Sequence, residues 1–117
     1  MPTKIIEQQV QKSDLHDLEL KSRYGNLVKA VVDVERSIMI AGVAMHSDGE
    51  EVLLENGSKQ ADLWGINLYL QHSEEEWIEY DSVINLRPSQ GNYSRGVDDP
   101  AIRQKIREIV NQLVKSI

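Results

Sequence analysis

Asn85-Leu-Arg-Pro-Ser-Gln-Gly-Asn-Tyr-Ser-Arg-Gly96 divides the chain into two parts of opposite character. Residues 1–86 carry seven Lys or Arg against sixteen Asp or Glu, net −9; residues 87–117 carry six against three, net +3, which gives the overall −6. The dividing stretch is rich in Gly, Ser, Asn and Arg, residues whose backbone amides and guanidinium donors suit an anion. Strand patterns precede it and one strongly patterned helix follows.

That helix is the clearest element. Asp99 supplies an N-cap and Pro100 the first helical position, and the pattern runs to about Ser116. Ile102, Ile106, Ile109, Val110, Leu113, Val114 and Ile117 form one apolar stripe that needs a sheet to cover.

The acidic part supplies the sheet. Lys4 to Val10 reads as a short edge strand, followed by a helix over 14–23 with Ser13 as N-cap and Gly25 as its stop. Val28, Ala30, Val32 and Val34 alternate with Lys29, Val31, Asp33 and Glu35, the period of a strand. Ile38 to Met45 is apolar on both faces and reads as its hairpin partner, without an Asn-Gly or Asp-Gly turn between them. Ser47 with Glu50 has capping-box spacing, and Asn56-Gly57 is a stop, so a two-turn helix is expected over 48–55. Trp64, Ile66, Leu68 and Leu70 then point inward, with Gly65, Asn67 and Tyr69 outward. After a charged loop at Ser73 to Glu76, Ile78, Tyr80, Ser82, Ile84 and Leu86 alternate inward against Glu79, Asp81, Asn85 and Arg87, which puts Trp77 on the outer register.

These elements predict a single α+β domain over 1–117: an antiparallel or mixed sheet of four to five strands, helices mainly on one face, and a long C-terminal helix. The other face then presents Lys29, Asp33, Glu35, Asn67, Tyr69, Glu79, Asp81 and Asn85, as antiparallel sheets commonly do toward water. The chain has no cysteine, which excludes disulfides, thiolate metal sites and cysteine nucleophiles. No apolar run reaches the ~20 residues of a membrane span, and the N-terminus lacks a signal-peptide core, so a cytoplasmic protein without membrane attachment is expected. A pI near 5.0 disfavours nucleic acid as a partner.

Three constellations carry candidate chemistry. Arg87, Ser89, Gln90, Asn92 and Arg95, with Asn67 and Tyr69 on the polar sheet face, form the candidate binding set for a small anionic ligand. Asp98 and Asp99 oppose it, because they already meet the helix dipole. Asp33, Glu35 and His46 form a candidate metal set, since imidazole with carboxylates suits several divalent ions. The basic zone Arg103, Lys105 and Arg107 facing an acidic body, with Trp77 as anchor, points to self-association as a homodimer. No phosphate loop, dinucleotide fingerprint, nucleophile elbow or His-Glu-x-x-His spacing occurs.

Two stretches also resemble a known family. Val31-Val-Asp-Val-Glu through His46-Ser-Asp to Glu55-Asn-Gly-Ser-Lys-Gln-Ala-Asp-Leu-Trp-Gly-Ile-Asn-Leu-Tyr is one, and Ile84-Asn-Leu-Arg-Pro-Ser-Gln-Gly-Asn with the final helix is the other. Together they resemble a small bacterial family, a domain of unknown function about as long as this chain. The resemblance implies one domain and brings no activity, cofactor or catalytic residue. The leading expectation is a binding or interaction module. The alternative is a small metal- or phosphate-dependent enzyme using Asp33, Glu35, His46, Arg87 and Arg95, which requires His46, Asp33 and Arg87 to share one pocket.

Overall fold

The computed structural model describes residues 4–20, 27–73 and 75–115. Along the chain these form β1 (Lys4–Ile6), β2 (Val10–Gln11), α1 (Lys12–Leu20), β3 (Val28–Asp33), β4 (Ile38–Ala41), α2 (His46–Glu55), β5 (Leu63–Leu68), β6 (Ile78–Glu79), α3 (Pro100–Leu113) and β7 (Val114–Lys115). Five strands make an antiparallel sheet in the order β1-β4-β3-β5-β6. A separate parallel pair joins β2 to β7, with Val10 opposite Val114. The fold is α+β, as the pattern predicts. No helix among the described residues is long and apolar enough to cross a membrane.

The alternation of β3 and β5 decides the two faces. Val28, Ala30, Val32, Trp64, Ile66 and Leu68 belong to the larger core, which α3 closes with Ile106, Ile109, Val110 and Leu113 and α1 with Leu15. The stripe of α3 therefore does what its spacing requires. Asp99 accepts from the Ala101 amide at 2.8 Å and Pro100 opens the helix. The helix stops at Leu113 rather than near Ser116, because Val114 turns out to pair with Val10. Ser116 and Ile117 lie outside the described residues, as do Gly25 and Glu74.

The second face is not wholly open to water. Val31, Ile38, Ile40, Val43, Leu53 and Leu63 form a smaller core beneath α2. Rows across this face read Ile38–Asp33–Leu63, then Ile40–Val31–Gly65, then Lys29–Asn67–Glu79. Helix α2 covers the first two rows. It lies close because Gly49 has no side chain: a Cβ there would sit 3.0 Å from methyls of Ile40 and Val31 and 3.1 Å from one of Val43. Gly49→Ala should therefore destabilise by about 1–2 kcal/mol in urea melts, because overpacking outweighs the ~1 kcal/mol that Ala gains in helix propensity. A more stable variant would show that α2 can lift off the sheet without cost.

Several boundaries shift for identifiable reasons. Helix α1 begins at Lys12, ahead of the expected cap at Ser13, and Asp14 accepts from the Gln11 amide at 3.0 Å. At α2 the box partner is Asp48, whose Oδ2 accepts from the Met45 amide at 3.2 Å, so the helix starts at His46 instead of 48. Its end is as expected. Gly57 takes φ 100°, and Ser58 N–H donates to Leu53 at 2.9 Å. The β3–β4 turn needs no Asn-Gly: Asp33 Oδ1 accepts from the Glu35 and Arg36 amides, both at 2.9 Å, and Ser37 adopts φ 56°.

The largest departure follows β6. The expected strand through Leu86 ends at Glu79, and the chain folds into two 3-10 turns, Val83–Asn85 and Pro88–Gln90. Asn85 and Leu86 consequently exchange sides: Asn85 is fully buried and Leu86 is 48% exposed, while Ser82 is buried and Val83 exposed as the alternation expects. Trp77 is likewise in the larger core, with the Lys12 ammonium 5.0 Å from its ring. A bend at Trp77 delays the pleat, so alternation begins only at Ile78.

Candidate functional site

With β6 only two residues long, the edge of β5 at Leu63–Gly65 has no strand beside it. Side chains take the place of the missing ladder. Asn85 Oδ1 accepts from Gly65 N–H at 2.8 Å, and its Nδ2 donates to the Gly65 carbonyl at 3.0 Å and the Arg95 carbonyl at 2.9 Å. Arg87 donates through Nη2 to the Leu63 carbonyl at 2.7 Å and through Nη1 to the Gln60 carbonyl. Its guanidinium lies 4.2 Å from the Trp64 ring centroid. Gln90 adds a bond to the Ala61 carbonyl at 3.1 Å. Asn92, almost fully buried, donates to the carbonyls of Asn85, Ser94 and Gly96 and accepts from the Asp98 amide. Arg87, Gln90 and Asn92 are thus committed to the fold. Ser89 is exposed on the second 3-10 turn.

The metal set does not assemble. Asp33 is fully buried at the hairpin turn, where its Oδ2 also accepts from Ser58 Oγ at 2.6 Å. Glu35 is exposed beyond it. His46 lies near the Lys29–Asn67 row, four residues or ~13 Å up β3 from Asp33 at the usual strand rise. Among the described residues no group of three or more His, Cys, Asp or Glu could hold a metal ion. The cavity that His46 lines includes neither Asp33 nor Arg87. The self-association surface loses its anchor with the burial of Trp77, although Arg103, Lys105 and Arg107 are exposed on α3.

What the fold does bring together is a pocket of about 270 Å³ over the third row of the second face. Lys29, Met45, His46, Ser47, Ser82, Val83, Ile84 and Arg95 line it. Each wall has a local cause. Lys29 alternates outward from β3, and His46 and Ser47 begin α2. Ser82 Oγ accepts from the Ile84 amide at 3.2 Å and sets the 3-10 turn that raises Val83 and Ile84. Gly65 lies beneath two of these walls, Ser82 and His46. A Cβ on it would lie 2.6 Å from Ser82 Cβ, 2.7 Å from Ser82 Oγ and 3.1 Å from His46 Cδ2, so the serine and the imidazole both close over a bare backbone.

Two cations and a buried imidazole set the electrostatics. Arg95 donates through Nε to Asp81 at 2.9 Å and is half-exposed. Burial lowers the pKa of Lys29, with Arg95 adding to the drop while Asp81 and Glu79 oppose it. Behind the pocket, Asn67 Nδ2 donates to Glu79 at 2.8 Å, and Tyr69 hydroxyl donates to the same carboxylate at 3.0 Å. Asn67 and Tyr69 thus brace the acids that balance the cations.

His46 is buried with Nε2 2.8 Å from the Ile66 carbonyl, a contact that requires the proton on Nε2. Burial pulls its pKa below the ordinary 6.5; the Ile66 carbonyl, Asn67 and Asp81 raise it in part, and Lys29 lowers it further. The unfolded chain therefore takes up this proton first. His46 contributes its full stability above pH ~6.5, and that contribution falls as the pH drops toward the lowered folded value. His46→Gln should remove this part of the slope, leaving a smaller loss of stability than the parent between pH 6.5 and 5 in urea titrations. Parallel curves for the two proteins would contradict a neutral buried imidazole.

Of the sequence candidates, only His46 and Arg95 line the pocket, with Asn67 and Tyr69 behind it. In sequence Lys29 stands only among the outward residues of the polar sheet face, and Ser82 and the apolar lining belong to no candidate set. One signal was present, a glycine within an apolar strand, which marks close approach of another group. No curated protein and no solved structure matches the chain. Residues 4–113 match the family model described as Protein of unknown function (DUF5674), and the chain belongs to that family.

Proposed function

We propose that this chain is a small-molecule binding module whose pocket takes an anionic ligand between Lys29 and Arg95. The observation that carries the reading is the lining itself. It holds two cationic side chains, two hydroxyls and an imidazole but no carboxylate, on a protein of net charge −6. Elsewhere such a surface would repel an anion; here two cationic side chains stand at the pocket wall, with Asp81 and Glu79 behind them. Arg95 is not spent on the fold in the way Arg87 is, because it contacts Asp81 through Nε and keeps more than half its side chain in water.

Thermal melts against inorganic phosphate, sulfate, and small mono- and dicarboxylates test the reading. A ligand at 100 times its dissociation constant adds about 2.7 kcal/mol, worth a rise of roughly 8–15 °C for a domain of this size. The rise should vanish in Arg95→Ala and in Lys29→Met. No shift with any anion at millimolar concentration would sink the proposal.

A further inference from the structure

Resting on that reading, we infer that the ligand is a short aliphatic monocarboxylate, its head between Lys29 and Arg95 and its chain against Met45, Val83 and Ile84. The lining decides the body of the ligand. Met45 is 56% and Val83 66% exposed, two of the largest uncovered apolar side chains among the described residues, and both stand on this one pocket. Ile84 joins them from the 3-10 turn. Large apolar groups gathered around a cavity with a few polar groups are the usual composition of a small-molecule site.

Charge decides the head. Asp81 pairs with Arg95, and Asp81 and Glu79 both act on Lys29, so the two cations are already balanced from behind. A single negative charge meets the two donors with a modest imbalance, whereas a phosphate dianion would leave a larger one beside Asp81. The α2 N-terminus offers little more, since Asp48 already accepts from the Met45 amide there.

Size and shape exclude larger candidates. A volume of about 270 Å³ falls just below the range of drug-sized pockets, which leaves little room for a nucleotide. No Phe, Tyr or Trp lines the pocket, and the one ring there, the His46 imidazole, is itself buried, so a base would find no broad stacking platform.

The test is a chain-length series of butyrate, hexanoate and octanoate against the full protein, with phosphate and octanol as controls, followed by methyl shifts at Met45, Val83 and Ile84. Dissociation constants should tighten about two- to fourfold per added methylene until the cavity fills. Octanol should bind at least tenfold more weakly than octanoate. Arg95→Ala should weaken octanoate at least tenfold, the usual weight of a charged hydrogen bond, and Val83→Ser should flatten the series. Both substitutions are at exposed side chains, so folding is preserved. Octanol binding as well as octanoate, or no gain with chain length, overturns the inference. Phosphate binding without carboxylate binding overturns it and leaves the anion pocket standing. No response to any of these ligands overturns the inference, and silence toward sulfate and dicarboxylates as well overturns both.

Discussion

Asn85→Ala should cost about 4 kcal/mol or more and lower the melting temperature by about 15 °C or more. The side chain is fully buried and makes three hydrogen bonds at 2.8 to 3.0 Å. Alanine leaves the Gly65 N–H and the Gly65 carbonyl without partners, and leaves the Arg95 carbonyl with the Ser82 amide alone. Each unpaired buried group costs about 1–3 kcal/mol, against a total stability of about 5–15 kcal/mol for a domain. Asn85→Asp should be nearly as damaging, because a carboxylate can accept from Gly65 N–H but cannot donate to either carbonyl. Urea melts of both variants decide the matter. A loss under 1 kcal/mol for alanine would mean that water reaches the β5 edge and replaces the amide.

Gly65→Ala should cost about 3 kcal/mol and abolish ligand response together. The new methyl would sit 2.6 Å from Ser82 Cβ, an atom fixed by the backbone, so the turn itself must move. Moving it displaces Ser82, Val83 and Ile84, three of the pocket walls. Combining the change with Ser82→Gly removes both atoms of closest conflict. The double variant should therefore be at least about 1.5 kcal/mol more stable than the two single losses predict by addition. Strict additivity would place the strain elsewhere, at His46 Cδ2 for instance, 3.1 Å from the same methyl.

How far the sequence reveals this fold depends on whether side-chain period alone decides the element. It does for α3, where the stripe from Ile102 to Val114 and the Asp99-Pro100 start are local and unambiguous. It does for the β3–β4 hairpin and for β5, whose inward residues fill the larger core as their alternation requires. It fails after Glu79. There the strand pattern of Ile84 and Leu86 continues, but an asparagine amide outcompetes the ladder by satisfying Gly65 on both sides. That bond joins positions 20 residues apart and leaves no periodic trace.

The candidate site divides along the same line. Arg87 and Asn92 have the chemistry of anion binders, yet carbonyls of the 60–63 turn and of their own loop claim them. Asp33 has the chemistry of a metal ligand, yet its two oxygens accept from two amides and a serine. Donor and acceptor types are visible in sequence; their partners are tertiary facts. Lys29 joins Arg95 and His46 only because β3, α2 and the 82–95 segment meet over one glycine.

The β2–β7 pair carries a consequence for the order of folding. Val10 and Val114 are separated by about 100 residues, so closing that loop from an open chain costs about 4 kcal/mol of entropy before any contact rewards it. Two paired residues a side cannot repay this alone. The closure becomes cheap only after α1 and α3 are seated on the larger core, which brings both segments to the same place. These strands should then form late, contribute little to the transition state, and be the first to open in the native protein. Amide exchange should show it directly, with Val10 and Val114 losing protection well before Val31 and Ile66 in the central strands.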